Sequence, residues 1–168
     1  MTARFLALAV LLFQPLAAQT TLGTHNTAVY FSPNGGCTAA IVKAIDEAKT
    51  SIRVQAYGFT SRPILDALVN ARRRGVDVQV ILDKSNRTAR FSLLDALLQA
   101  GIPVFIDRCS GIAHCKVMVI DKAVVITGSF NFTQAAEQRN VENVLVIRDS
   151  ALAGIYTQAW EKRRQNAE

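Results

Sequence analysis

Apolar residues recur along this chain in two rhythms, every second position in short runs and every third or fourth in longer ones. The alternation of the two predicts strands separated by helices. Residues 28–32 read as a first strand, after which Pro33, Asn34, Gly35 and Gly36 turn the chain. Over 38–49, Ile41, Val42, Ile45 and Ala48 fall on one stripe, the spacing of a helix packed on a sheet. A strand follows over 51–59, then a helix over 63–74 with Ile64, Leu65, Leu68 and Val69 inward and Gly75 as its stop. Residues 76–82 form the next strand. Phe91, Leu94, Leu97 and Leu98 mark a third helix closed by Gly101, and 102–106 is a further strand. The runs 115–120 and 123–127 are apolar and rich in β-branched residues on either side of Asp121 and Lys122, so they read as a β-hairpin. Thr133 caps a short helix through residue 138, and 141–147 is the last strand. Leu152, Ile155, Tyr156, Ala159 and Trp160 give a C-terminal helix its apolar stripe.

Strands that alternate with helices of this length are joined by right-handed crossovers. The pattern therefore predicts a single α/β domain whose sheet is mixed, mostly parallel, and flanked by helices on both faces. The hairpin supplies the antiparallel strands. No internal repeat or linker interrupts the pattern.

The first 18 residues stand apart from it. Arg4 precedes an apolar run from 5 to 13, then Pro15 and the small residues Ala17 and Ala18, the layout of a secretory signal peptide cleaved after Ala18. The run is well short of the ~20 residues that span a bilayer. The expected organisation is a signal peptide over 1–18, a polar lead-in over 19–27 and the domain over 28–168, with a periplasmic or secreted mature protein. Of the 19 basic residues only Arg4 lies in the removed segment, so against 13 acidic residues the formal charge falls from +6 to +5. A basic mature chain favours polyanions, nucleic acid or an anionic lipid surface. In an oxidising compartment Cys37, Cys109 and Cys115 allow one disulfide and three ways to form it. No Cys-x2-Cys or His-x3-His spacing suggests zinc. All three read as structural, Cys115 as core.

The stretch with the chemistry is His114-x-Lys116, four residues, Asp121, six residues, then Gly128-Ser129-x-Asn131. With six fixed positions at roughly 5% each, chance produces this spacing on the order of once in 10⁸ starting points. On a strand His114 and Lys116 share a face, opposite Cys115 and Asp121, and Ser129 and Asn131 share a face beyond the second strand. An imidazole, an ammonium, a hydroxyl and an amide pointing into one pocket suit a phosphate. Donors hold the non-bridging oxygens while a histidine nitrogen attacks phosphorus. Many nucleases instead hold metal ions with clustered carboxylates, and no such cluster is evident, so the expectation is activity without metal or other cofactor. Lys84, Arg87 and Arg90, after the third strand, are candidate contacts to a nucleic-acid backbone. Arg72, Arg73 and Arg74 complement a helix dipole. His25 lies in the lead-in, and Tyr57 and Phe59 read as packed aromatics.

The motif resembles the signature of the phospholipase D superfamily. The segments 54–60, 74–80, 128–133 and 140–144 are similar to the small, single-motif bacterial endonucleases of that superfamily. The resemblance covers nearly all of the chain after residue 27. It implies the phospholipase D-like fold and sequence-nonspecific, metal-independent hydrolysis of DNA, with RNA as a further substrate. It also implies a homodimer whose shared site takes one histidine from each subunit. His114 would be the nucleophile forming a phosphohistidine, and the partner subunit's His114 the acid for the leaving oxygen. Lys116, Ser129 and Asn131 would bind phosphate oxygens. A nucleophilic histidine needs a carboxylate to fix its tautomer, and Glu142 matches the position of that acid in related endonucleases. Asp121 and Gly128 are structural letters of the motif, Asp121 as an orienting or turn residue. Gly58 stands where relatives often carry serine. The alternatives are phospholipase D-type hydrolysis of an anionic lipid such as cardiolipin, and a nucleic-acid-binding module without turnover.

Overall fold

The computed structural model describes residues 26–168, so the expected signal peptide over 1–18, most of the lead-in and His25 lie outside the described residues. Seven strands and five helices follow in chain order: β1 (Asn26–Ser32), α1 (Cys37–Glu47), β2 (Ser51–Ala56), α2 (Arg62–Arg73), β3 (Asp77–Leu82), α3 (Leu94–Gln99), β4 (Val104–Ile106), β5 (Lys116–Ile120), β6 (Val124–Gly128), α4 (Gln134–Gln138), β7 (Glu142–Arg148) and α5 (Ser150–Gln165), with a 3-10 turn at Lys84–Arg87. The strands form one sheet in the order β1-β7-β6-β5-β2-β3-β4.

The sheet is mixed, but not mostly parallel. Only β2–β3 and β3–β4 run parallel, while β5 enters beside β2 antiparallel and β6, β7 and β1 continue antiparallel outward. The expectation failed because only the first strand-helix-strand units make crossovers. From β5 onward the chain returns by the hairpin and then around α4.

The two faces carry separate cores. Ile52, Val54, Val78, Val80, Met118, Ile120 and Ile126 pack with Ile41, Ile45, Leu65 and Leu68 of α1 and α2. Val117, Val119 and Val125 meet Ala153, Leu152 and Tyr156 of α5. Strand alternation divides β5 between them, odd residues toward α5 and even residues toward α1 and α2. Trp160 is fully buried, its indole N–H donating to the Val54 carbonyl at 2.8 Å.

Two helices differ from their predicted stripes. At α3, the capping residue Leu93 and Leu97 are buried, whereas Phe91, ahead of the helix, is 71% and Leu98 51% exposed. The cause is the preceding turn. Asn86 donates to the Tyr57 carbonyl and accepts from Ser92, and Leu93 N–H bonds Phe59, which holds 84–92 as a loop and starts the helix late. In α5 the inward residues are Leu152, Ala153, Tyr156 and Trp160, and Ile155 and Ala159 are exposed. Thr133 does cap α4, its hydroxyl accepting from Ala136 N–H at 3.1 Å. All three cysteines are free, and Cys115 is exposed rather than core because β5 begins one residue later.

Candidate active site

The order of strands decides where the motif lands. β4 ends at the sheet edge beside β3, while β5 begins on the far side of β2, with Lys116 opposite Ala56. Residues 107–115 must therefore cross over the C-terminal ends of β3 and β2. In open α/β sheets that end is where ligands bind. Because β6 and β7 alternate in direction, Gly128 and Glu142 come to the same end, beside Ser32 of β1.

Polar groups at the strand ends fasten this crossing. Asp83, 1% exposed, accepts from Ser85 N–H at 2.9 Å and from Ala113 N–H at 2.7 Å, fixing the residue before His114. Burial opposes its ionisation, but the bonds from Ser85 and Ala113 and the charge of Lys84 win, so its pKa lies below the usual carboxylate value. Lys84 donates to the carbonyls of Cys109 and Ser110 at 3.3 and 3.4 Å. Asp107, also 1% exposed, is bound by Arg163 of α5, with Nε on Oδ2 at 3.0 Å. Neither Asp83 nor Asp107 stands out in the sequence. A carboxylate one residue after a parallel strand is the only signal either gives.

His114 is exposed, and it lies in the crossing loop rather than on β5. Its ring meets that of Tyr57 with centroids 4.6 Å apart and an interplanar angle of 59°. Lys116 is 7% exposed, donates to the His114 carbonyl at 2.8 Å, and holds Nζ 5.3 Å from the centre of the Tyr57 ring. Tyr57 thus lines the site mouth, contrary to its reading as a packed aromatic, whereas Phe59 is fully buried as expected. Burial lowers the pKa of Lys116, while the neighbouring Cys115, were it ionised, and the Glu142 carboxylate act in the opposite direction. A buried ammonium with this one hydrogen bond among the described residues is poised to take an anionic oxygen.

The turn after β6 supplies the remaining groups. Gly128 has φ +153°, and a Cβ there would lie 2.2 Å from the Asn143 carbonyl oxygen. Ser129 Oγ accepts from Asn143 N–H at 3.1 Å, and Phe130 N–H donates back to the Asn143 carbonyl at 3.3 Å. Asn131 has a buried side-chain oxygen without a hydrogen-bond partner among the described residues. It lies beside Gly58, where an added Cβ would be 3.7 Å from that oxygen. Glu142 is half-buried, and its recorded hydrogen bond comes from Asn140 at 3.1 Å. No bond between its carboxylate and His114 appears among the described residues.

Asp121 sits at the opposite end of β5. It accepts from Lys49, Thr50 and Ser51 N–H at 2.7 to 2.9 Å and from the Thr50 hydroxyl at 2.9 Å. It ties the hairpin turn to the start of β2. Of the basic candidates, Lys84 is engaged with the crossing loop, Arg87 pairs with Glu168, and the Arg90 guanidinium lies 5.2 Å over the Phe91 ring. Arg72 and Arg73 occupy the last turn of α2. Among the described residues no three His, Cys, Asp or Glu side chains gather as a metal-ligating group.

The family model described as "cardiolipin synthase, PLD-like domain" matches residues 41–164. The chain belongs to the phospholipase D superfamily. It is 50% identical over 143 residues to the phospholipase D of Rickettsia typhi, an alignment covering 85% of this chain and 70% of that protein. It is 36% identical over 115 residues to the mitochondrial cardiolipin hydrolase of Xenopus laevis, covering 68% of this chain and 55% of the relative. The crystal structure of the phospholipase D family member Nuc from Salmonella typhimurium superposes with a TM-score of 0.82 at 41% identity, covering 86% of this chain and 97% of Nuc. As a member of this superfamily of hydrolases, the chain carries its phosphodiesterase architecture in one domain.

Proposed function

We propose that the protein is a metal-independent, sequence-nonspecific endonuclease that hydrolyses DNA, and RNA as well, in a homodimeric active site. The observation that carries this reading is the fit to Nuc, in which this chain accounts for 97% of the neighbour with one copy of the motif. The formal charge of +5 left after removal of residues 1–18 is compatible with it, as it is with an anionic lipid, since a basic protein attracts polyanions.

In the proposed reaction a neutral His114 nitrogen attacks phosphorus. Lys116, Ser129 and Asn131 hold the non-bridging oxygens, and the P–O bond to the leaving oxygen breaks. The partner subunit's His114 gives that oxygen its proton, then takes one from the water that opens the phosphohistidine. Glu142 acts as the orienting carboxylate once the dimer closes. Support for a shared site comes from the rim. His114 is exposed, and Ile112, Phe31 and Val141, at the same end of the sheet, are 59%, 55% and 88% exposed. Apolar surface gathered around a polar site suits a covering second subunit. Export through residues 1–18, to the periplasm or medium, belongs to the same proposal.

The second reading, hydrolysis of an anionic phospholipid, is favoured by the names of the Rickettsia typhi and Xenopus laevis relatives. Among the described residues no helix is long and apolar enough to cross a membrane.

The test is cleavage of plasmid and single-stranded DNA by residues 19–168 in excess EDTA, beside His114→Ala. Cutting by the parent alone is expected. Cutting that requires added metal, or DNA binding without turnover, would overturn the mechanism. Failure on DNA with turnover of cardiolipin vesicles would establish the second reading.

A further inference from the structure

After α5 the chain returns to the edge of the sheet. Ile106 N–H donates to the Glu168 carbonyl at 2.7 Å, Glu168 N–H donates back at 3.1 Å, and Asp107 bridges Ala167. This fixes the Glu168 side chain over the start of the loop that leads to His114. Its carboxylate there joins two arginines from separate elements. Arg87 Nη2, from the 3-10 turn after β3, lies 2.5 Å from Oε1, and Arg108 Nε, from the crossing loop, lies 3.0 Å from Oε2, with Arg108 Nη2 on the same oxygen. The two arginine side chains are 52% and 63% exposed. Two guanidinium forks converging on a pair of anionic oxygens also match the non-bridging oxygens of a phosphodiester.

We propose that Arg87 and Arg108 form a phosphate-binding subsite for the backbone of a nucleic-acid strand, remote from the reacting phosphate, and that the Glu168 carboxylate holds it in the free protein as an internal competitor. The proposal rests on the nuclease reading and extends it to a second contact with the polymer. Arg108 precedes His114 by six residues, so their Cα atoms are no more than about 20 Å apart. At about 3.4 Å per nucleotide, a strand of roughly six nucleotides spans that separation. The segment between them is anchored by Lys84, Asp83 and the Asp107–Arg163 pair, so the subsite and His114 keep a fixed relation. Exposed ion pairs are weak and screened, which lets an incoming phosphate displace the carboxylate.

The test is fluorescence anisotropy with a labelled single-stranded oligonucleotide of about 20 nucleotides, in EDTA and over a series of salt concentrations, using a His114→Ala background so that the probe stays intact. Arg87→Ala with Arg108→Ala is expected to weaken binding at least about tenfold and to reduce the salt slope by roughly 1.4, two contacts at 0.7 each. Glu168→Gln is expected to tighten binding several-fold, a direction that a merely damaged protein does not give. If Glu168→Gln lowers Tm and leaves affinity unchanged, the carboxylate is a structural tie and the competitor is ruled out. If the arginine pair leaves affinity and slope at the parent level while the parent still cuts DNA, the subsite is overturned and the nuclease reading stands. If the parent neither binds nor cuts DNA but hydrolyses anionic phospholipid, the nuclease reading fails and this proposal fails with it.

Discussion

Gly128→Ala is the most informative single perturbation of this site, because it adds one carbon and removes nothing. That carbon would stand 2.2 Å from the Asn143 carbonyl oxygen and 2.9 Å from its side-chain oxygen. An ordinary carbon-to-oxygen approach is about 3.3 Å, so the turn must retreat by about 1 Å. The backbone at φ +153° adds strain for any L side chain. Overpacking of this kind costs about 1 to 3 kcal/mol, which in a domain of this size lowers Tm by roughly 3 to 10 °C. The retreat also carries Ser129 away from Asn143 N–H and shifts Asn131 behind it.

A displacement near 1 Å in a group that positions the reacting phosphate costs on the order of 100-fold in rate. The expected result is therefore both a lower Tm, by circular dichroism, and a kcat for bis(p-nitrophenyl) phosphate reduced on the order of 100-fold per folded protein. Asn143→Ala should not rescue the variant, since the nearest obstacle is backbone. Unchanged Tm with full turnover, or rescue by Asn143→Ala, would refute the reasoning.

Other expectations separate support from chemistry. Asp121→Ala removes an acceptor of four hydrogen bonds at the far end of β5; it should lower Tm by several degrees while kcat per folded molecule stays at the parent value. Asp83→Asn weakens the charge-assisted bond to Ala113 N–H and should lower both Tm and kcat, read by melting and small-diester turnover. Tyr57→Ala should lower kcat about tenfold as His114 and Lys116 lose their ring contact, with Tyr57→Phe restoring it. Asp83, Asp107 and Asp121 all have folded pKa values below their ordinary one. Their stabilisation is complete above about pH 4 and is lost as pH falls through the depressed values. Tm should hold from pH 7 to about 5 and drop below about 4, and Asp107→Asn should flatten that drop. In native protein Cys37, buried with its pKa pushed up to about 11, should react with a thiol reagent only on unfolding, as counted by mass spectrometry.

The strands and helices were legible because each buries one face, and burial writes itself into periodicity. Ile41 and Ile45 sit inward as their spacing requires, and Met118 and Ile120 alternate with Val117 and Val119 between the two cores. What periodicity does not carry is strand order. Nothing in the apolar rhythm of 116–120 says that it pairs with β2 rather than β4, so periodicity does not fix the proportion of parallel pairs. The same blindness hid the crossing loop and its anchors. Asp83 and Asp107 are buried polar residues held by partners dozens of positions away, pairings that no local pattern records. Phe91 and Ile155 fit helical stripes yet face solvent, since a stripe marks apolar residues without telling which of them a neighbouring element reaches.

The division of labour inside the motif follows from that topology. Lys116 is the first residue of β5, so it inherits the strand's burial against Tyr57, whereas His114, two residues earlier, remains in the loop and faces outward. A buried ammonium is costly unless an anion compensates it. Burial already pulls the Lys116 pKa down, and Glu142 only partly restores it. A phosphate oxygen arriving at Nζ would supply the missing compensation, which is the part the proposed reaction assigns to Lys116, a charge the fold has already desolvated. In the proposed reaction the exposed imidazole of His114 meets the phosphorus from the open side, where the proposed second subunit would close over it.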